Sequence, residues 1–195
     1  MAGTATGGAV SAGSRNMARN PCRRGERGSF VADAPLALWV LFICLTIPLI
    51  DLATVSLRST LLVMAAREAA HAAARCKTFK TALGPDEPSA SDAASSRAQE
   101  TASKFSEIRV SDVKTYIVVT NINSGSSTRQ SSPLSQPADT AENLYLVEVE
   151  VSGQTSPLLP FSGGGLFGNV PGLTAPVPLT VASREYHEYP QGLNQ

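Results

Sequence analysis

The chain has 195 residues, with 16 basic and 16 acidic side chains, so its formal net charge is zero at pH 7. This balance gives no global electrostatic reason for binding nucleic acid or a membrane surface. The three cysteines, Cys22, Cys44 and Cys76, lie far apart, and only Cys76 follows the long apolar segment. An internal disulfide in that later part is therefore excluded. Cys76 is expected to be a free, buried thiol, with an intermolecular disulfide as the alternative.

Residues 1–28 are predicted to form a cytoplasmic basic leader. Five arginines lie close before the apolar segment, opposed there only by Glu26 and Asp33. The arginines are Arg15, Arg19, Arg23, Arg24 and Arg27. A basic flank of this kind keeps the N-terminus in the cytoplasm, which places the C-terminal part outside. Met17 opens the compact basic part of the leader and is a candidate start of translation.

The apolar segment is long enough to predict a membrane helix. Residues 34–50 carry no charge, and these 17 residues would span roughly 25 Å against a hydrocarbon core of about 30 Å. The apolar pattern resumes after Asp51, which is expected near the outer interface. A cleaved secretory signal is disfavoured because its apolar core usually has about 7–15 residues before a small-residue cleavage site. Pro48 predicts a kink.

The helix is expected to continue beyond the membrane as an amphipathic helix, giving one helical region over residues 29–83. Apolar residues recur at intervals of three or four, while Arg67, His71 and Arg75 share another face. The apolar positions are Leu61, Ala65, Ala69, Ala72, Cys76 and Phe79. Gly84-Pro85 is the predicted end.

The remaining sequence predicts a linker at residues 84–103 and an extracytoplasmic β-rich domain at residues 104–195. Alternating β-branched residues predict strands from Ile108 to about Asn121, around residues 145–151 and around residues 177–181. Long loops are expected at 124–141 and 153–176. The fold class is thus α+β, with a long N-terminal helix and a small antiparallel sheet.

Catalytic patterns are weak, so the chain is predicted not to be an enzyme and to need no cofactor. His187 with Glu185 and Glu188 is a minimal match to a metal site, against the simpler interpretation of a solvated charged tail. Glu148 and Glu150 share one strand face, and they are expected to form its wet side rather than an acid-base pair.

Several motifs follow one another in a specific order. They are Arg24-Gly25-Glu26-Arg27-Gly28, Val31-Ala32-Asp33, the apolar segment, Ile50-Asp51 and Ala65-Ala66-Arg67-Glu68-Ala69. In this order the chain resembles the TadE-like pseudopilins of tight-adherence (Flp pilus) systems over roughly residues 23–75. In that family the acid after the glycine is usually glutamate, whereas here it is Asp33, followed by Ala34 instead of an aromatic residue.

The resemblance implies a pilin-like layout for the α+β fold. It also implies that a prepilin-type peptidase cleaves between Gly28 and Ser29. It further implies that Asp33 neutralises the amino terminus of an adjacent subunit during assembly. The implied partners are this peptidase, other pilin-like subunits with their assembly machinery, and the lipid bilayer, with no nucleic acid and no small-molecule substrate. The implied location is the bacterial cytoplasmic membrane, as a single-pass protein that either stays there or enters a pilus.

Other functions stay open at the level of sequence. The role within a tight-adherence system is either TadE-like or TadG-like. A signal-anchored extracytoplasmic binding module, with the helix as a mere tether, is the main alternative, and an anchored hydrolase is the weakest.

Overall fold

The computed structural model describes residues 29–105, 108–159 and 170–195, with side chains from Ala34 onwards. The chain divides into two compact units, Met1–Phe42 and Ile43–Gln195. The helices are α1 (Ser29–Ala74) and α2 (Ala90–Ser103), and the strands are β1 (Ile108–Asn121), β2 (Ser127–Gln130), β3 (Asn143–Thr155) and β4 (Val177–Tyr186). A short 3-10 helix follows at Pro190–Asn194. The predicted α+β layout of a long helix and a small antiparallel sheet is therefore confirmed.

The four strands form one antiparallel sheet in the order β2-β1-β3-β4. The alternation predicted for β3 is present, because Tyr145, Val147, Val149 and Val151 are buried on one face. Their partners on β1 include Ile117 opposite Val147. Since side chains alternate between the two faces of a strand, this register brings the apolar residues of both strands onto one inner face.

The C-terminal half of α1 packs on that inner face. Alanines make up most of its buried stripe, so the helix presents little bulk, and Leu62 provides the one large, fully buried side chain. The helical members of the core are Leu62, Ala66, Ala69, Ala70 and Ala73. A Cβ added at Gly153 of β3 would lie 3.2 Å from a Leu62 methyl group and 2.9 Å from the Arg109 carbonyl oxygen. The missing side chain at Gly153 thus makes room for Leu62.

Helix α1 ends at Ala74, nine residues before the predicted end at residue 83. The Glu188 N–H donates to the Ala74 carbonyl oxygen at 2.9 Å, which satisfies one of the helix's terminal acceptors. Phe79 then turns inward and is fully buried. Tertiary contacts from the C-terminal segment therefore end the helix, although its local sequence remained compatible with helix up to Gly84-Pro85.

The prediction of a linker at residues 84–103 is wrong for residues 90–103, which form α2. Ser89 caps this helix, since its hydroxyl oxygen accepts the Asp92 N–H at 3.2 Å. The buried residues of α2 are all alanines at helical spacing, Ala90, Ala93, Ala94, Ala98 and Ala102. A stripe of methyl groups gives a weak apolar signal, which explains why a serine-rich helix was interpreted as a linker.

The loop predicted at 124–141 contains the short edge strand β2. The Asn121 side-chain oxygen accepts the N–H groups of Asn123 and Ser124, and Gly125 takes a positive φ of 69°. These features form a tight turn that returns the chain antiparallel to β1. Strand β2 carries Arg129 to the outer face of the sheet, where its side chain contacts that of Glu148.

The Pro190–Asn194 turn packs against the segment that follows α1. Leu193 is fully buried, and the Gln195 carbonyl oxygen accepts the N–H groups of both Phe79 and Lys80. Gly192 makes this approach possible, because a Cβ there would lie 1.5 Å from the Lys77 carbonyl oxygen. The C-terminal residues and the segment after α1 therefore fix each other.

Replacing Gly192 by alanine should destabilise the protein by about 2–4 kcal/mol, because the new methyl group would overlap the Lys77 backbone. The free energy of unfolding would be measured in denaturant on the detergent-solubilised full chain. Gly84→Ala is the matched control, since a Cβ at Gly84 meets no atom within 4 Å, and it should stay within about 0.5 kcal/mol of the parent. Equal stability of the two variants would contradict the close approach at Gly192.

Candidate membrane and assembly site

The predicted processing and assembly residues lie at the edge of the described structure. Gly28 is outside the described residues, Ser29 is the first residue of α1, and side chains are described only beyond Asp33. Cleavage after Gly28 and charge neutralisation by Asp33 therefore stay predictions.

Helix α1 presents an apolar surface along the segment that follows these residues. All residues from 34 to 45 are exposed. The large exposed apolar side chains in and just after this stretch are Leu36, Leu38, Trp39, Val40, Leu41, Phe42, Ile43, Leu45, Leu49 and Ile50. Among the described residues, one helix is long and apolar enough to cross a membrane, and it lies near the N-terminus. At about 25 cal/mol per Å², so much exposed apolar area strongly favours an apolar environment over water.

Asp51 lies directly after this uncharged segment and is fully buried. One carboxylate oxygen, Oδ1, accepts the Leu159 N–H at 3.0 Å. The second, Oδ2, is buried and has no hydrogen-bond partner among the described residues. The sequence predicted Asp51 near the outer membrane interface. In the structure its carboxylate is buried and is contacted by the segment that follows β3.

A second contact holds the same segment on α1. The Arg58 guanidinium donates to the Ser156 carbonyl oxygen. Arg58 follows Asp51 by seven residues, about two helical turns, so both side chains lie on one face of α1. Val55 lies between them on that face and is also buried. Asp51 and Arg58 thus fasten residues 156–159 along about two turns of the helix.

The outer face of the sheet carries a network of ion pairs around Glu148. This residue lies opposite Tyr116 of β1 and Arg184 of β4. Its Oε1 lies 2.7 Å from Arg129 Nη2, and its Oε2 accepts a hydrogen bond from Arg184 Nε. Arg129 also contacts Glu150 at 2.7 Å, and its guanidinium carbon lies 3.5 Å from the centre of the Tyr116 ring.

The side chain of Glu148 is consequently much less exposed to solvent than the sequence predicted. Its side chain is 5% exposed, whereas that of Glu150 is 24% exposed. The prediction that both side chains are exposed to solvent is thus confirmed for Glu150 and wrong for Glu148, because Arg129 and Arg184 cover Glu148. The alternation of β3 identified the face, but the partners Arg129 and Arg184 depend on strand order and register, which the sequence did not reveal.

His187 is buried, contrary to the expectation of a solvated charged tail. Its Nδ1 accepts the Tyr189 N–H at 3.1 Å, and its Nε2 has no hydrogen-bond partner among the described residues. Burial lowers the pKa of His187 to about 4, with a smaller opposing effect from Glu188. Glu188 instead pairs with Arg75 at 3.6 Å. The imidazole is therefore a neutral packing group at pH 7.

The described residues contain no group of three or more His, Cys, Asp or Glu side chains that could hold a metal ion. Cys44 is exposed on the apolar helix, and Cys76 is a half-buried free thiol. Burial, with a smaller effect of Asp92, raises the pKa of Cys76 and so disfavours its thiolate.

No protein-family model matches this chain, and neither the curated proteins nor the solved structures contain a match. The functional argument therefore depends on the residues themselves.

Replacing Glu148 by alanine should lower the free energy of unfolding by about 1–2 kcal/mol, because Arg184 loses its carboxylate and Arg129 keeps only Glu150. Glu185→Ala, on the exposed part of β4, is the matched control and should be nearly neutral. The measurement is denaturant unfolding at low and at high salt. A Glu148 variant as stable as the Glu185 variant would show that the network contributes nothing.

His187 should make the protein less stable in acid. Its folded pKa of about 4 lies below the ordinary value of 6.5, so the unfolded state binds the proton more readily. The contribution is fully present above pH 6.5 and is lost as the pH falls through 4, amounting to about 1–2 kcal/mol after allowance for solvent screening.

The test compares unfolding free energies between pH 7 and pH 4 for the parent, His187→Asn and His71→Asn. The His187 variant should lose part of the pH dependence, while the variant at exposed His71 should retain it. An unchanged profile in His187→Asn would refute the assignment.

Proposed function

We propose that this chain is a TadE-like pseudopilin, a structural or assembly component of a tight-adherence, type IV pilus-like secretion or adhesion system. Its task is packing rather than turnover. The observation that carries the proposal is the exposed, uncharged segment 34–50, which follows a basic leader and ends at Asp51. A helix of this kind needs lipid or other apolar helices around it.

The organisation of the unit Ile43–Gln195 supports a pilin-like role. The same helix that carries the apolar segment continues into the core of a small antiparallel sheet, through Leu62 and the alanine stripe. Helix and sheet therefore share one hydrophobic core within that unit. A subunit whose helix bundles with others in the membrane would present its sheet outside as a cap, initiator or contact surface.

The proposed mechanism has two steps, cleavage of the leader and assembly with a neighbouring subunit. In the proposed mechanism a prepilin-type peptidase cuts between Gly28 and Ser29, which leaves the Ser29 amino group as a cation at the membrane edge. Asp33 lies about one helical turn further along α1. A charge in a medium of low dielectric constant is costly alone and much less so when paired, so Asp33 would neutralise the amino terminus of a neighbouring subunit.

The proposed location is the bacterial cytoplasmic membrane, with the N-terminus inside and the sheet outside. The basic flank before residue 34 supports this orientation. The partners in this proposal are the peptidase, other pilin-like subunits and the lipid bilayer.

Asp33→Ala should leave membrane insertion and cleavage intact but should reduce co-isolation with partner pilins at least tenfold, the effect of about 1.4 kcal/mol. Asp33→Glu should preserve or improve assembly, because glutamate is the usual residue in the resembling family. The experiment combines N-terminal sequencing of the mature protein with affinity co-isolation from membranes.

The matched control is Asp51→Asn, which changes the other acid of the apolar region and retains a side-chain oxygen that can accept the Leu159 N–H. It should remain cleaved and co-isolate with partners. A mature N-terminus other than Ser29, or normal assembly of Asp33→Ala, would overturn the pseudopilin mechanism and favour a simple membrane-anchored binding module.

A further inference from the structure

Leu158 and Leu159 form an exposed apolar pair next to the membrane-length part of α1. They are 52% and 50% exposed, although Pro157 just before them is buried. The Leu159 N–H donates to Asp51 on α1, so the pair is held beside the point where the uncharged segment ends. Exposed Ile50 and Leu52 flank Asp51 on the helix, and the apolar surface of α1 therefore continues onto the leucine pair.

The position of Asp51 along α1 places this apolar surface at the depth of a lipid bilayer. Asp51 is the only charged residue from Ala34 to Leu57. A hydrocarbon core of about 30 Å needs about 20 helical residues, so a span that begins near Ala34 reaches past Asp51. At that depth the carboxylate would face acyl chains unless protein covered it. Asp51 is in fact fully buried, and the segment after β3 contacts it through the Leu159 N–H.

The position of Arg58, the next charged residue on α1, is consistent with this placement in the membrane. Arg58 lies seven residues beyond Asp51, about 10 Å further out. This is the first basic residue after the apolar segment, and its long side chain is half-buried while its guanidinium holds Ser156. A cation at this height lies at the level of lipid phosphates when the leucine pair is in the outer acyl boundary.

We propose that residues 157–159 form a second membrane contact, in which Leu158 and Leu159 insert into the outer leaflet next to α1 while Asp51 holds the segment in place. The partner is the lipid bilayer at its acyl-headgroup boundary. The contact fixes the sheet domain at a set height above the membrane, which a single helix would leave free to tilt. This inference rests on the proposed function only in that α1 spans a bilayer.

The test uses the full chain in phospholipid vesicles with nitroxide-labelled lipids that quench tryptophan fluorescence. Trp39 is the single native tryptophan, so Trp39→Phe gives a silent background for Leu158→Trp. Leu83→Trp is the matched control: Leu83 is 54% exposed but follows the far end of α1, which rises about 35 Å between Asp51 and Ala74.

A nitroxide on the upper part of the acyl chain should quench the tryptophan at position 158 severalfold more than the one at position 83. Adding Asp51→Ala should reduce that quenching to the level of the control, whereas Asp51→Asn, which keeps an acceptor oxygen, should preserve it. Quenching at 158 that persists in Asp51→Ala would overturn the role given to Asp51.

Two further outcomes separate this inference from the proposed function. Equal quenching at positions 158 and 83, with native Trp39 still quenched in the parent chain, would overturn the second membrane contact and leave the spanning helix intact; a protein partner would then be the candidate cover of the leucine pair. Absence of quenching at Trp39 would overturn the membrane span itself and, with it, both proposals.

Discussion

The single core that the alanine-rich helices α1 and α2 share with the inner face of the sheet is the constraint on which the rest of the Ile43–Gln195 unit depends. Small side chains on the helix and the bare backbone at Gly153 allow Leu62 to reach between β1 and β3. Such an interface has few large side chains, so it depends on shape complementarity more than on buried area. On the same helix, burial begins at Asp51 and Val55, directly after the exposed apolar segment.

Polar contacts add to this packing on both faces of the sheet. Asp51 and Arg58 bind the backbone of residues 156–159, while Glu148 gathers Arg129 and Arg184 on the opposite face of the sheet. Each of these contacts joins elements that are distant in sequence. An alanine-rich core alone would permit several arrangements of the helix and the strands. These polar contacts favour one of them.

The sequence predicted the elements whose signal is local and strong. The apolar segment and the alternation of β3 were predicted from the hydrophobic pattern of the sequence alone. The end of α1 and the existence of α2 were not, because Phe79 is buried by the distant C-terminal residues and because methyl groups carry little hydrophobic contrast. The ion-pair network around Glu148 required the strand order β2-β1-β3-β4, and the burial of His187 required the fold of the chain's last residues. Cleavage between Gly28 and Ser29 and an assembly role of Asp33 stay predictions from the sequence.

The docking of the Pro190–Asn194 turn has a consequence for how the Ile43–Gln195 unit folds. Leu193 fills the core, and the Gln195 carbonyl closes onto Phe79 and Lys80, while Leu159 must find Asp51 across 108 positions of the chain. These contacts join residues that are far apart in the sequence, so the packing around α1 forms only when distant segments of the chain have come together. Because closing such long loops costs conformational entropy before any contact forms, we expect the Ile43–Gln195 unit to fold more slowly than a domain of similar size built from local contacts.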